Sequence, residues 1–291
     1  MKTRAEKQAA LELVLMAFIW GYGFVAIVSA LDSFTALGIA AYRFWLSFLL
    51  VLPFVVFSRR LRKEMNLKNF TLACIPGIFL GLSLFLQTAG LQYTTATKSG
   101  FITTLYILWV PMLEQLWLGR KLSRLHYVYV FLGLIGTAMI CKFHGGEWNQ
   151  GDLLTLACSF TLTVQIVSLA KYADQIQSPF VLNGFQSLWA ALICSVFLIA
   201  SRSTGFKGWA TIPVAHFVYL AVFSSFIAFT IQVRAQKVLS AGVASMIFLL
   251  ESPAASFFAY LFLGETLDLT QWIGAQLILA AAILVVKQPS S

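Results

Sequence analysis

Ten apolar runs, each about as long as a membrane-spanning helix, follow one another along this chain of 291 residues. A helix needs about 20 apolar residues to cross the hydrocarbon core of a bilayer. The predicted spans are Leu11–Ala30, Phe34–Phe57, Phe70–Gly90, Ser99–Leu118, His126–Cys141, Asp152–Ala170, Pro179–Ala200, Pro213–Val233, Gly242–Leu263 and Gln271–Val286. Only 11% of the residues are charged, against roughly 25% in soluble domains. The sequence therefore predicts an all-α integral membrane protein with ten transmembrane helices.

A seven-residue segment is repeated 145 residues later in the chain. Leu116-Trp-Leu-Gly-Arg-Lys-Leu122 returns as Leu261-Phe-Leu-Gly-Glu-Thr-Leu267, and each copy closes an apolar run that contains a proline, Pro111 or Pro253. An odd number of spans in each copy turns the second copy upside down relative to the first, as in many secondary transporters. We expect two inverted five-helix repeats around a central cavity. The predicted parts are a tail at 1–10, the first repeat at 11–141, a loop at 142–151, the second repeat at 152–286 and a tail at 287–291.

The positive charges predict how the chain lies in the membrane, because lysine and arginine favour the cytoplasmic side. With the amino terminus inside, 15 of the 20 basic residues fall on the inner side. Four fall on the outer side, namely Lys98, Lys142, Arg202 and Lys207, and Arg43 lies within a span. We expect both termini in the cytoplasm. The net charge of +9 then reflects topology and contact with the lipid bilayer, and a nucleic-acid partner is not expected.

Several motifs resemble the EamA-type transporters of the drug/metabolite transporter superfamily. They are Trp20-Gly-Tyr-Gly-Phe24, Ala41-Tyr-Arg-Phe44, the stretch from Gly90 through Thr103 and Tyr106 to Pro111, Leu250-Glu-Ser-Pro253 and Leu263-Gly-Glu265. The resemblance extends from about Leu11 to Val286. It departs from the family at Arg120, where the first repeat often carries a glutamate.

This resemblance implies ten helices in two inverted repeats, cytoplasmic termini and a central substrate cavity. It also implies export or exchange of small metabolites, such as amino acids, across a bacterial inner membrane.

Two charged residues are predicted deep within spans, where an unpaired charge is costly and marks a functional site. Arg43 is a candidate anchor for a substrate carboxylate. Alternatively it is a structural arginine that bonds to helix ends or extends to the membrane interface. Glu251 lies two residues before Pro253, which frees a backbone carbonyl one turn earlier. Its carboxylate is a candidate for binding a substrate ammonium or carrying a proton, and equally for capping local polar groups.

Uncharged polar and aromatic residues complete the predicted cavity. Ser83 and Gln87 share one helix face by i, i+4 spacing, and Gln165 belongs to a similar stripe. Gln186 occupies roughly the place in the second repeat that Arg43 has in the first. The remaining candidates are Trp20, Thr103 and Tyr106, whose rings or hydroxyl group would line the wall. Polar side chains of this kind also join helices to one another, so that role stays open.

Four residues are predicted to let helices bend or approach closely: Gly21, Gly23, Pro111 and Pro253. The cysteines have no CxxC spacing and are interpreted as packing residues, so neither a metal nor a cofactor is expected.

The sequence as a whole predicts an alternating-access secondary transporter for a small polar or amphipathic metabolite, acting as an exporter or exchanger and as a monomer or homodimer. Uptake and nucleotide-sugar exchange are the alternatives within transport. An intramembrane enzyme is not expected, because no HExxH or paired nucleophile and histidine occurs within the spans.

Overall fold

The computed structural model describes residues 3–119, 124–140 and 148–287. Within these ranges the chain is helical, with a 3₁₀ turn at Ala173–Gln175, a π-helical segment at Leu220–Ile227 and an isolated β-bridge between Phe34 and Phe206. The α-helices are α1 (Arg4–Ala30), α2 (Ala36–Phe57), α3 (Arg59–Glu64), α4 (Leu67–Leu72), α5 (Cys74–Gly90), α6 (Ala96–Thr104), α7 (Tyr106–Leu118), α8 (Arg124–Ile140), α9 (Gln150–Tyr172), α10 (Pro179–Ala200), α11 (Thr211–Tyr219), α12 (Ala228–Gln236), α13 (Ala241–Phe248), α14 (Glu251–Leu263) and α15 (Leu269–Lys287). Arg120, Cys141, most of the predicted loop at 142–151 and nearly all of the predicted tail at 287–291 lie outside the described residues.

Seven helical stretches among the described residues are long and apolar enough to cross a membrane. They are Arg4–Ala30, Ala36–Phe57, Ala96–Leu118, Gln150–Gln175, Pro179–Ala200, Thr211–Gln236 and Ala241–Leu263. Three shorter apolar helices accompany them, at Cys74–Gly90, Tyr127–Met139 and Leu269–Leu284. The predicted all-α class is confirmed for the described residues, while the count of ten spans stays a prediction.

Two of the long stretches are interrupted near their middle. Between α6 and α7, the Leu105 carbonyl accepts from the backbone N–H of Leu108 in a tightened turn, at 3.0 Å. Between α13 and α14 a similar turn joins Ile247 to Leu250, at 3.1 Å. Pro253 lies in the first turn of α14 and has no N–H to donate to the carbonyl of Leu249, one turn earlier. That carbonyl accepts instead from the N–H of Ser252 at 3.1 Å, so the second interruption lies where the proline is expected to cause one.

The two halves of the chain pack closely against each other. Helix α1 packs on α14, α2 on α10, α5 on α9 and α8 on α15. Small residues make this approach possible. A Cβ atom added at Gly21 in α1 would lie 2.5 Å from the Cβ atom of Ala254 in α14. One added at Gly136 in α8 would lie 2.6 Å from the carbonyl oxygen of Gly274 in α15.

Polar contacts close the bundle at both of its ends. We call the end where α1 begins the basic end, because exposed Arg59, Arg62 and Lys63 lie there in α3. At this end Arg234 pairs with Glu12 of α1. At the opposite end, the Lys98 Nζ atom lies 2.5 Å from the Asp152 Oδ2 atom and joins α6 to α9.

The opposite end is also tied by backbone hydrogen bonds. The N–H of Thr35 donates to the Gly205 carbonyl at 2.9 Å, and the N–H of Lys207 donates to the Ser33 carbonyl at 2.8 Å. These bonds fasten the connection between α1 and α2 to the loop between α10 and α11.

Candidate functional site

A small cavity lies between the two halves, near the middle of the long helices. Its volume is about 30 Å³, which is room for a water molecule or two. Its wall combines a cation, a carboxyl group, an amide and aromatic rings within an otherwise apolar interior. The lining residues are Trp20, Gly23, Ile27, Arg43, Leu84, Gln87, Cys158, Leu162, Ser224, Phe229 and Glu251. We identify this cavity as the candidate functional site.

Arg43 of α2 is the cation on the cavity wall, and only 1% of its surface is exposed. Its Nε atom donates to the Ser225 hydroxyl at 2.8 Å and its Nη2 atom donates to the Ser224 hydroxyl at 2.9 Å. The guanidinium group also lies over the ring of Phe44, 5.5 Å from its centroid. Its Nη1 atom has no hydrogen-bond partner among the described residues. Arg43 is thus held by neutral groups, and one of its nitrogens is left without an acceptor.

The two serines that hold Arg43 belong to the π-helical segment. Single π-helical turns inside α-helices often occur at functional sites, because they shift side chains and carbonyl groups out of the regular ladder. Here the carbonyl oxygen of Ser224 accepts a hydrogen bond from the Trp20 indole at 3.2 Å. The π-helical segment therefore connects α1 and α2 at the cavity.

Glu251 is the first residue of α14, directly after the interruption of that long stretch. It is 5% exposed and lines the cavity. No hydrogen bond to its carboxyl group is formed within the described part of the chain. Tyr106 and Cys158 lie near enough to be affected by a negative charge on Glu251. The Tyr106 hydroxyl is fully buried and has no hydrogen-bond partner among the described residues.

The other predicted residues of the first half lie on or beside the same wall. Gln87 lines the cavity and donates from Nε2 to the Thr103 hydroxyl at 3.2 Å. Trp20 packs its ring against Phe229, with centroids 5.1 Å apart. Ser83 is fully buried and donates to the Leu80 carbonyl of its own helix at 2.9 Å. Its hydroxyl group is thus already used within α5.

Gln165 and Gln186 lie in a separate buried amide cluster. Gln165 donates to Gln186 and to Gln232, both at 3.4 Å, and accepts from Gln232 at 3.2 Å. Gln186 in turn donates to Asn183 at 2.9 Å. None of these four residues is among those that line the cavity. The structure thus brings Gln165 and Gln186 together off the cavity wall, and Asn183 connects their cluster to the Arg43 site by donating to the Ser225 carbonyl at 3.4 Å.

The predicted bending residues have different surroundings. Gly21 sits at the close contact with Ala254 in α14, while Gly23 lines the cavity next to the Ser224 hydroxyl. Pro111 is buried inside α7, and Pro253 lies in the first turn of α14.

Sequence reasoning did not name several residues of this site. Ser224, Ser225 and Phe229 were not among the predicted residues, although two adjacent serines within an apolar run are a visible signal. Cys158 was interpreted as a packing residue, yet it lies on the cavity wall. Within the described ranges, no group of three or more His, Cys, Asp or Glu side chains is placed to hold a metal ion.

A larger groove of about 230 Å³ runs between α1, α14 and α15. Its wall carries the half-exposed rings of Phe18, Phe257 and Trp272 and no charged side chain. Because it lacks the charged groups of the smaller cavity, we do not assign the functional site to it.

The chain is similar to known transporters along nearly its whole length. A sequence profile of the EamA-like transporter family matches residues 8–142 and again residues 149–287. An uncharacterized transporter of Archaeoglobus fulgidus is 31% identical over 281 residues, which cover 95% of this chain and 85% of that protein. A chloroplastic WAT1-related protein of Arabidopsis thaliana is 24% identical over 287 residues, covering 94% of this chain and 68% of its own.

A protein of known crystal structure has the same fold. The two chains align with a TM-score of 0.75 at 17% sequence identity, and the alignment covers 97% of this chain and 96% of the other chain. Since the family profile matches both halves of the chain, the protein belongs to the EamA-like transporter family of the drug/metabolite transporter superfamily and is a multi-pass membrane transporter.

Proposed function

We propose that this protein moves a small amphipathic metabolite that carries both an anionic and a cationic group, such as an amino acid, by alternating access. The single observation that carries the proposal is that a guanidinium group, Arg43, and a carboxyl group, Glu251, lie on the wall of one cavity. The unpartnered Nη1 atom of Arg43 is available for a carboxylate, and the Glu251 carboxyl group for an ammonium. A charged side chain this deep in a membrane protein is normally paired with another group of the protein.

The aromatic wall supports a substrate with an apolar or aromatic part. Trp20 makes a tilted contact with Phe229 and an edge contact with Phe248, whose centroid lies 5.6 Å away. Such rings accept apolar side chains and also attract cations. With room for only a water or two, the cavity must widen to admit a metabolite.

We further propose that the chain has ten spans in two inverted five-helix repeats. The two matches to one family profile support this organisation. So do the interruptions of the long stretches, since Tyr106 and Glu251 are 145 residues apart and each begins the second part of such a stretch. Rocking of one repeat against the other would expose the cavity to each side in turn.

The proposed location is a bacterial inner membrane, with both termini in the cytoplasm and the lipid bilayer as the surrounding partner. The excess of basic residues on one side, 15 against four, supports this orientation. We favour an exporter or exchanger, acting as a monomer or homodimer. Nucleotide-sugar exchange is less favoured, because a strongly anionic substrate calls for more than one deep cation.

A transport assay with a matched pair of variants tests the proposal. Purified protein in proteoliposomes is assayed for exchange of labelled amino acids and of the corresponding amines, which lack the carboxylate. Arg43→Gln is expected to abolish amino-acid exchange, while Arg59→Gln, the same change at an exposed site of the basic end, leaves it intact.

Arg43→Lys keeps a charge but loses the forked donor geometry, so it should retain only part of the activity. Equal amino-acid exchange in the wild type and Arg43→Gln would contradict the assignment. Thermal stabilisation of the purified protein by candidate ligands gives an independent readout of binding.

A further inference from the structure

Helices α6 and α13 begin in the same way. Thr95 caps α6, and its hydroxyl accepts from the backbone N–H of Lys98 at 3.1 Å. Ser240, 145 residues later, caps α13 and accepts from the N–H of Val243 at 3.3 Å. The first N–H groups of a helix have no partner within the helix. In both helices, the N–H groups of the first two residues therefore need a hydrogen-bond acceptor from another part of the chain.

For α6 that group is the carboxylate of Glu265. The N–H of Ala96 donates to Glu265 Oε1 at 3.0 Å, and the N–H of Thr97 donates to Glu265 Oε2 at 3.2 Å. Glu265 follows Gly264, the left-handed residue that ends α14. One half of the chain therefore caps a helix of the other half, at the end opposite the basic end.

For α13 the corresponding group is the carboxylate of Glu114. The N–H of Ala241 donates to Glu114 Oε1 at 3.2 Å, and the N–H of Gly242 donates to Glu114 Oε2 at 2.7 Å. Glu114 is fully buried in the last turns of α7. This contact runs from the first half to the second and lies at the basic end, so it mirrors the Glu265 contact in direction and position.

Contacts of this type are strong enough to control a conformation. A carboxylate that accepts two backbone N–H groups at a helix start combines charge-assisted hydrogen bonds with the favourable end of the helix dipole. Each capped helix leads directly to an interruption beside the cavity, at Leu105 for α6 and at Leu249 and Leu250 for α13. Release of a cap would free the half-helix between the bundle end and the cavity.

We propose that Glu265 and Glu114 are gate residues, each holding one end of the cavity closed and releasing its helix when that end opens. This inference rests on the proposed transport function, and it concerns how the same site is opened. Both contacts are intact here, and the cavity has room for only a water or two. The expected cycle breaks one contact at a time, Glu265 to open the opposite end and Glu114 to open the basic end.

Cys158 on the cavity wall serves as the reporter of opening. In a background with Cys74→Ala, Cys141→Ala and Cys194→Ala, a membrane-impermeant thiol reagent is applied to each face of oriented vesicles. Loss of a charge-assisted pair shifts an equilibrium by roughly tenfold or more. Glu265→Gln should raise the rate of Cys158 labelling about tenfold when the reagent is applied to the face opposite the basic end. Glu114→Gln should raise it about tenfold when the reagent is applied to the face at the basic end.

Glu6→Gln is the matched control. Glu6 also accepts a backbone N–H at a helix start, from Thr3 at 3.1 Å, but this bond stays within α1. In the Glu6→Gln variant, Cys158 should be labelled from both faces at the same rate as in the protein that carries only the three cysteine replacements. Unchanged labelling in both gate variants, or an increase from the same face in both, would overturn the proposal.

Cross-linked cysteine pairs keep the test decisive if Glu114→Gln fails to fold. Glu114→Cys with Gly242→Cys, and Glu265→Cys with Thr97→Cys, are bridged by a short bis-methanethiosulfonate before Cys158 is probed. This reagent forms a disulfide with each cysteine, releases two methanesulfinates and is cleaved by a reductant. Each cross-link should stop labelling from its own face, and cleavage should restore it. Labelling that persists through the cross-link would overturn the proposal. No substrate is needed, so a failure of the Arg43 assay and a failure of the gates are separate outcomes.

Discussion

Tyr106 and Glu251 are 145 residues apart, and each is the first residue after the interruption of a long helical stretch. The Tyr106 ring packs edge-on against Phe248, three residues before Glu251, and so contacts the other half of the chain. Neither side chain forms a hydrogen bond within the described residues. A hydroxyl and a carboxyl group in this arrangement can respond to a substrate, because neither group is already committed to another partner.

Replacing Glu251 by glutamine should remove the dependence of transport on pH. The carboxyl group at the cavity can gain and lose a proton, whereas the amide cannot. Exchange and net flux are measured in proteoliposomes with and without a pH gradient. Asp32→Asn, at an exposed position between α1 and α2, is the control and should behave as the wild type. An unchanged rate together with an unchanged pH dependence would rule out proton coupling through Glu251.

Replacing Tyr106 by phenylalanine should lower the transport rate without lowering the stability of the fold. The variant loses a buried hydroxyl group without a partner, so its unfolding free energy should be unchanged or slightly higher. Transport should fall, because the buried hydroxyl group that could respond to a substrate is gone. Thermal unfolding and exchange are measured on the same preparation. A clear loss of stability would indicate that the hydroxyl has a structural partner in the folded protein.

Replacing Gly21 by alanine should destabilise the contact between α1 and α14. The new Cβ atom would lie 2.5 Å from the Ala254 Cβ atom and 2.9 Å from the backbone of α14. Overpacking of this kind costs about 1–3 kcal/mol. Gly208→Ala is the control, because a Cβ atom there meets nothing within 4 Å. Denaturant unfolding in micelles gives both values, and equal stabilities would show that the helices can move apart without cost.

The two ion pairs at the bundle ends should differ in strength. Asp152 is fully buried and accepts from Lys98 at 2.5 Å, from the Thr94 hydroxyl at 2.8 Å and from the N–H of Asn149 at 3.0 Å. Asp152→Asn should cost about 1–3 kcal/mol, since the amide cannot accept from all three donors.

The pair of Glu12 and Arg234 is more exposed. Glu12→Gln should therefore change the unfolding free energy by less than about 1 kcal/mol. Both variants are compared by unfolding in micelles at low and high salt. A larger cost for Glu12→Gln than for Asp152→Asn would contradict the assignment of strengths.

Much of this site could be predicted because charge deep in an apolar span is rare. The depth of Arg43 and Glu251, together with the family motifs that contain them, predicts both as candidates, and both line the cavity. Helix positions were also predictable, since apolar length sets them. The first residue of a helix was harder to predict. The predicted start at Ser99 lies three residues after the observed start at Ala96, because the Thr95 cap extends α6 into polar sequence.

The other residues of the site could not be predicted, because their positions depend on contacts between helices that residue spacing along the sequence does not reveal. A π-helical segment shifts the register of the residues that follow it, so regular i, i+4 spacing does not place Ser224, Ser225 and Phe229. Gln165 and Gln186 fit a polar stripe, but a stripe does not distinguish an amide that faces a cavity from one that faces another amide. Here they bind each other.

The small volume of the cavity has a consequence for affinity. About 30 Å³ holds a water or two and no larger molecule, so any metabolite that binds there must first push the surrounding helices apart. The measured affinity of such a ligand is then weaker than its contacts alone would give, because the binding-competent form is only a fraction of the population.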